Sequence, residues 1–454
     1  MWLRSLLVPF LSLPFLPVFA AQGQVWVVDD TAATAPDFTN LQSAIDSVAD
    51  GDILLVKAGT YAGMKIVGKS LTIQAEAGAS VNVVDNSATP LATCGQLQTS
   101  ICALGPSQSV RLRGLSISAN GRGLLLDSNA GLVWIEECSI TCGDHVLGVW
   151  NSCDGTGAGL EARDCADVVL VRSSFTGADG EACHLFNPGC DTCFDYGPEA
   201  GAGLLADSSE VHAFACAFSG GRGKGRFGSE CEYQSQKGGY GVRGLGTPAP
   251  FLFLSDCALQ GGNGLGCVLD ESCGFQNNDG GDGLFWLGTA AVLDCSFQAG
   301  TPSTCGDGGT AGVPIVSHPS STVRELPGSA LRMRATSPVR ENGSVDLVFE
   351  GPAFAPIWLL ASTEPAATYG FYPRGSLLVG GAVVVELLGA LDASGTLQHT
   401  VSLGPLPPGL DGRVFFLQGL LGSLPTTFPK LSLFPRPRSL LGEASLLLKL
   451  DESF

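Results

Sequence analysis

The chain has 454 residues, of which 45% are hydrophobic, only 15% are charged and 62 are glycine, with a formal net charge of -19. That length exceeds what one hydrophobic core serves, and the apolar share excludes a disordered chain. The negative field repels a polyanion, so no nucleic-acid partner is expected.

Residues 1–20 read as a secretory signal peptide. Arg4 supplies the positive start, an apolar run extends from Leu6 to Phe19, and Val18-Phe19-Ala20 offers small residues at the cleavage positions. Pro9, Pro14 and Pro17 interrupt the run, which argues against a membrane anchor, and no later stretch is apolar enough to span a bilayer. The expected location is therefore secreted, either extracellular or at the cell surface. The 16 cysteines all lie between Cys94 and Cys305, and an exported chain meets an oxidising milieu.

The mature chain opens with Thr39-x-x-Gln42, a capping box leading into Leu41, Ile45 and Val48 on one face of a short helix. Gly51-Asp52 with the apolar run Ile53–Val56 follows, and then Gly59-Thr60-Tyr61. This opening resembles that of pectin-lyase-like right-handed parallel β-helix proteins, with the resemblance covering roughly residues 26–326. It implies an all-β solenoid whose open end is plugged by the short helix. It implies no activity, because the fold carries lyases, hydrolases, epimerases and non-catalytic adhesins.

A repeat runs through the cysteine-rich region. Gly followed by an apolar residue opens each unit, at Gly123, Gly159, Gly203, Gly241 and Gly283, with spacings of 36, 44, 38 and 42 residues. A β-rich apolar run comes next, as in Leu132–Ile135, Val168–Val171, Val211–Phe214, Phe251–Leu254 and Ala291–Leu293. A short third segment closes the unit and carries Ile140, Phe175, Phe218, Leu259 or Phe297. One such unit cannot bury its own apolar face, so the units must stack. Three strands per unit, with an insert always after the third, fit a parallel β-helix better than four-stranded propeller blades. The β-helix is expected over 24–326.

Stacking at about 4.8 Å per coil aligns equivalent positions. Cys138, Ser173, Cys216, Cys257 and Cys295 then form an inward ladder, too widely spaced for disulfides and expected as buried thiols. Trp286 follows Ala162, Ala206 and Gly244 in its own ladder and is expected to fill the core. Trp134, Val169, His212 and Phe253 occupy an outward position in successive coils. Such an apolar strip marks a contact surface, either for a sugar or for another part of this protein. Trp134, His212 and Phe253 are the candidate ligand-binding residues on it.

The inserts are Gly-rich and need covalent staples. The disulfide candidates are Cys94 with Cys102, Cys142 with Cys153 and Cys267 with Cys273, together with Cys183, Cys190, Cys193 and Cys231. Cys183-His184 with Cys190 and Cys193 also has the composition of a tetrahedral zinc set, but export favours oxidation of those thiols. No dedicated metal site or cofactor is expected. Asp270, Glu271, Asp279 and Asp282 form an acidic cluster, as do Asp191, Asp195 and Glu199. Such carboxylates on Gly-rich loops suit Ca²⁺, but the alternating Asp/Asn motif with a fixed Glu is absent and a solvated acidic surface is the preferred reading.

Val133-Trp134-Ile135-Glu136-Glu137-Cys138 resembles the Trp-Ile-Asp-His-Cys strand of pectate lyases, with Glu136 and Glu137 replacing Asp and His. No Arg-x-Pro-x-x-Arg follows it, and the Gly-His-Gly of polygalacturonase-like hydrolases is absent, so no catalytic role carries over. Cysteine stops at Cys305, and the linker Ser317–Ser329 is rich in Ser and Pro. Residues 331–454 are nearly neutral, with nine basic and ten acidic residues. Their alternating segments, among them Ser344–Phe349, Ile357–Ala361, Ser376–Leu388 and Ala444–Leu450, predict a β-sandwich, with Asp392-Ala393-Ser394-Gly395 as a hairpin turn. The module resembles C-terminal modules of large secreted bacterial proteins. Two functions stand open. One is a non-catalytic surface or matrix protein with extracellular polysaccharide or a cell-surface component as partner. The other is a Ca²⁺-dependent polysaccharide lyase or glycoside hydrolase.

Overall fold

The computed structural model describes residues 23–31, 35–85, 99–143, 157–180, 200–223, 237–246, 250–264, 279–302, 309–370, 374–422 and 439–454. Among them, three parallel sheets of ten, seven and eight strands run the length of a coil. Each full turn gives one strand to each sheet, as Leu124–Asp127, Leu132–Glu136 and Ser139–Gly143 do. The expected registers are present: Trp134 pairs with Val169, Val169 with His212 and His212 with Phe253. Ile140, Phe175, Phe218, Leu259 and Phe297 likewise stack in order. The fold is an all-β parallel β-helix followed by a separate sheet region.

The start of the coil explains its own motifs. Asp52 accepts hydrogen bonds from Gln24 N at 2.8 Å, Trp26 Nε1 at 2.9 Å and Ala49 N at 2.8 Å, tying the first strand to the second. The helix Leu41–Ser47 is capped by Asn40, whose side chain accepts from Ser43 N at 2.9 Å. The expected capping box on Thr39 does not form. Gln42 instead bonds both backbone groups of Lys65 and so pins the helix across the coil end.

From Gly68 onward, two corners of each turn hold a residue with positive φ. At the corner between the ten- and eight-stranded sheets these are Gly114, Glu137, Arg172, Ala215, Asp256 and Asp294. An L-residue there is strained by about 1–2 kcal/mol. The next side chain inward satisfies the corner: the sulfurs of Cys138, Cys216 and Cys257 donate to the carbonyls of Glu136, Phe214 and Ser255 at 3.3, 3.3 and 3.4 Å. Ser173 does the same through oxygen at 2.8 Å, and also accepts from Cys138 N at 3.1 Å. The ladder therefore holds thiols, as the coil spacing requires. Burial pushes the Cys138 thiol up to about 12, which keeps it protonated and unreactive. Cys165 makes the same bond at the other corner, to Arg163 O at 3.2 Å.

The third corner is built from glycine backbone. Segments leaving one coil alternate with segments returning to another, and single hydrogen bonds zip them together. Gly201 N donates to Ala178 O at 2.9 Å, Gly221 N to Gly201 O at 2.8 Å, Gly239 N to Gly221 O at 2.9 Å and Gly262 N to Gly239 O at 2.8 Å. Gly281, Gly300 and Gly312 continue the chain of bonds. A Cβ on Gly221 would stand 1.8 Å from Ala178 O, so only glycine allows this approach. Inside the coil, a Cβ on Gly244 would lie 2.1 Å from the Trp286 ring, which fills that space and is 1% exposed.

The ten-stranded sheet ends on Ser321–Leu326, inside what the sequence marks as a linker. Ser and Pro richness there marks a change of partner rather than a loss of structure. Beyond it, Arg332–Ala335, Ser344–Glu350 and Thr396–Ser402 form a three-stranded sheet. Pro356–Ser362, Val384–Ala390, Gly412–Leu421 and Leu440–Leu450, with the short Val339–Arg340, form a five-stranded one. The expected single strand Ser376–Leu388 is two, broken at Gly381 with φ 56°. Asp392–Gly395 is not a hairpin: it passes the chain from the five-stranded to the three-stranded sheet. Asp392 holds that turn by accepting from Ser394 N and Thr396 N at 2.8 and 2.9 Å. No helix among the described residues is long and apolar enough to cross a membrane.

The seam makes a direct prediction. Gly221→Ala should cost about 1–3 kcal/mol in chemical denaturation, the usual size of overpacking. Gly404→Ala should be nearly neutral, because nothing lies within 4 Å of its would-be Cβ.

Candidate functional site

The outward face of the ten-stranded sheet is where the sequence places its candidate ligand residues. There the five-stranded sheet lies directly on the coil. Val25, Ile53, Leu55, Leu132, Trp134, Val169, Val171, Phe214, Phe253, Ala291 and Leu293 pack into one core with Phe416, Leu446, Leu448 and their neighbours. Trp134 meets Phe416 edge-on at 5.2 Å, and Tyr369 covers Phe253 at 5.5 Å. Trp134, His212 and Phe253 are each 0% exposed. The strip thus exists in the expected register and is covered by the protein itself.

A charged knot crosses the same interface. Glu136 accepts from Trp134 Nε1 at 2.9 Å within its own strand, and from Leu446 N and Ser445 Oγ, both at 2.8 Å, across the interface. Arg172 contacts Glu136 and Glu443, and donates to Met333 O at 2.8 Å. Arg113 lies 3.5 Å from Glu136, donates to Ala335 O at 3.2 Å and to Glu137 at 2.9 Å. Glu137 and Arg172 are both corner residues, so the positive-φ ladder is what aims them out of the coil. Burial alone would raise Glu137, but Arg113 and Arg172 pull its carboxyl below its ordinary range. Asp256 adds a forked pair to Arg332 at 2.5 and 2.7 Å. Glu136 is therefore a buried interface residue, whereas the Glu137 side chain is 40% exposed and has both oxygens engaged by Arg113 and Arg172.

One further cluster stands at the edge of the interface. Asp167 opens one strand of the ten-stranded sheet, Glu210 immediately precedes the neighbouring strand Val211–Phe214, and His212 lies two residues on from Glu210, on the same face. Their ligand atoms lie within 4.8 Å of one another. His212 Nε2 is 3.1 Å from Glu210 Oε1, while Nδ1 is 2.7 Å from Ser376 Oγ of the C-terminal region. Burial and the neighbouring Glu210 raise the Asp167 carboxyl, against the pull of His212. Among the described residues this is the set that could hold a metal ion.

The acidic insert cluster resolves differently. Asp282 is 6% exposed, with one oxygen 2.7 Å from Lys237 Nζ and the other accepting from Val313 N at 2.7 Å. Asp279 accepts from Thr310 N at 2.6 Å. Both brace one coil against the next. Asp270 and Glu271 lie outside the described residues. So do Cys94, Cys153, Cys183, Cys190, Cys193, Cys231, Cys267 and Cys273. Cys102 is disulfide-bonded. Cys142, expected in a bridge with Cys153, keeps a buried thiol that donates to Gly143 O at 3.6 Å.

No family model matches the chain, and no curated protein does. Among solved structures, pectate lyase Pel9A is 10% identical, with a TM-score of 0.34 over 66% of this chain and 79% of that one. The PL6 family alginate lyase AlyGC is 13% identical, with a TM-score of 0.29 over 68% of this chain and 40% of its own. The parallel β-helix itself rests on the chain's own three stacked parallel sheets. Neither superposition assigns a residue or an activity to this chain.

The interface yields two predictions. Trp134→Ala should lower stability by about 3–5 kcal/mol in denaturant titration, as for a large buried aromatic. Glu443 supplies the second. Burial pushes its carboxyl up to about 7 from 4.5, against the pull of Arg172 and its bond from Met333 N and with Glu136 nearby. Its folded value exceeds its unfolded one, so its contribution is whole below the unfolded value and is lost as pH rises through the folded value. Relative to Glu443→Gln, the wild type should lose up to about 3 kcal/mol between about pH 5 and pH 8. A wild type that gains on the variant over that window would contradict the assignment.

Proposed function

We propose that this is a secreted, non-catalytic β-helix protein of the cell surface or matrix. The solenoid is a rigid stalk, and the segments that leave and return at the glycine seam are what it displays. Extracellular polysaccharide or another surface component is the partner class, met by faces other than the covered strip. One observation carries the non-catalytic reading. The carboxylates and guanidinium groups that polysaccharide-cleaving chemistry would need on this face, Glu136, Glu137, Arg113 and Arg172, bond one another and the C-terminal region. Acid–base catalysis needs such groups within reach of a substrate, and three of these four are at most 10% exposed in their side chains.

The test is to incubate the purified mature protein with a panel of acidic and neutral glycans, with and without Ca²⁺. No unsaturated or reducing ends are expected above a heat-denatured control. Their release would overturn the reading in favour of a Ca²⁺-dependent lyase or a hydrolase.

A further inference from the structure

We propose that Asp167, Glu210 and His212 bind a divalent transition-metal ion, with Zn²⁺ as the natural occupant. Two observations point the same way. The three side chains converge from two adjacent coils, with ligand atoms within 4.8 Å of one another. Independently, His212 is 0% exposed and its Nε2 has no hydrogen-bond partner. That nitrogen lies 3.1 Å from a Glu210 oxygen, yet its ring geometry misses a hydrogen bond to it. A buried ring nitrogen without a partner is costly, and a metal ion removes the cost by taking its lone pair.

The donor set selects the ion. Ca²⁺ and Mg²⁺ prefer oxygen throughout, whereas one imidazole with two carboxylates suits Zn²⁺ in a site that keeps an open fourth position. Glu210 is the entry side, with a side chain 38% exposed. The outer support is also in place. Ser376 Oγ lies 2.7 Å from Nδ1, and a metal ion on Nε2 would set the tautomer in which Nδ1 donates to that hydroxyl. Ser376 belongs to the C-terminal region, so the ion ties two coils to one another directly and to the module through the imidazole. Two carboxylates facing one neutral imidazole also leave an excess of negative charge that a cation neutralises. The sequence hides this set, because Asp167 and Glu210 are one whole coil apart along the chain.

The full mature protein, stripped with a chelator, would be melted and titrated calorimetrically with Zn²⁺, Ca²⁺ or Mg²⁺. Zn²⁺ should raise the melting temperature, and the other two should not. Glu210→Gln, at a half-exposed position that tolerates change, should weaken Zn²⁺ binding at least about 10-fold, and Ser376→Ala by about 10–100-fold. Co²⁺ bound in place of Zn²⁺ should show no sulfur-to-metal charge-transfer absorption, which separates this site from the insert cysteines. Absence of a Zn²⁺ effect, an equal effect of Ca²⁺, undiminished binding in Glu210→Gln or a sulfur band in the Co²⁺ spectrum would each overturn the proposal.

Discussion

The outer face of the ten-stranded sheet carries apolar side chains from Val25 to Leu293, interrupted by Thr72, Gln74, Arg111, Arg113 and Glu136, and so large an apolar face cannot stand in water. In a parallel solenoid the inner positions of each strand already fill the coil, so outer positions gain nothing from their own turn. An outward column such as Trp134, Val169, His212 and Phe253 commits the chain to a second layer. The five-stranded sheet meets that demand and is buried on both sides in turn. Every residue of Leu440–Leu450 is buried, because one face meets the coil and the other meets Met333, Leu347 and Phe349 of the three-stranded sheet. The sandwich is thus the lid of the solenoid as much as a module behind it.

Charge decides how that lid is oriented. Glu136, Arg113, Arg172 and Glu443 are all nearly buried, and removing ions from water costs several kcal/mol each before pairing repays it. An apolar contact of the same area would hold as well but would tolerate sliding. Glu136 bonds Leu446 N and Ser445 Oγ while Arg172 bonds Met333 O, so each ion fixes a backbone position on a strand of the opposing layer. With three carboxylates against two guanidinium groups, one acid stands in excess, which is why burial prevails at Glu443.

The coil was largely legible in the sequence, because stacking repeats each position at its own place in every turn. Ile140 and Phe175 announce their register by chemistry alone, and so does the small Cys138–Ser173–Cys216 column. The glycine seam was not legible as such. Gly201, Gly221 and Gly239 read as turn residues, and nothing local says that their amides bond one another between outgoing and returning segments. The sandwich was legible in type but not in connection. Asp392-Ala393-Ser394-Gly395 has hairpin composition, and only the tertiary pairing of Thr396–Ser402 with Ser344–Glu350 makes it a crossing between sheets. The His212 cluster was half legible. His212 was read as a candidate ligand residue within an apolar column, but its carboxylate neighbours Asp167 and Glu210 sit beside that column, which a single-column reading omits.

Corner conformation links these pieces. Because Glu137 and Arg172 take positive φ, their side chains leave the coil edge, and the thiol or hydroxyl that follows each turns inward to hold the corner closed. The same short stretch therefore serves the inside of the solenoid through Cys138 or Ser173 and the outside through Glu137 or Arg172. A disulfide in the ladder would draw two coils closer than their strand spacing allows and would take the proton each sulfur gives to its corner carbonyl. Lack of access is then what keeps these thiols from oxidation. The ladder sulfurs lie behind the corner with their protons held by burial, as the raised Cys138 shows. The positions that pay for strain with a side-chain bond are the same ones that aim charge at the lid, so a coil able to close its corner is also one able to dock it.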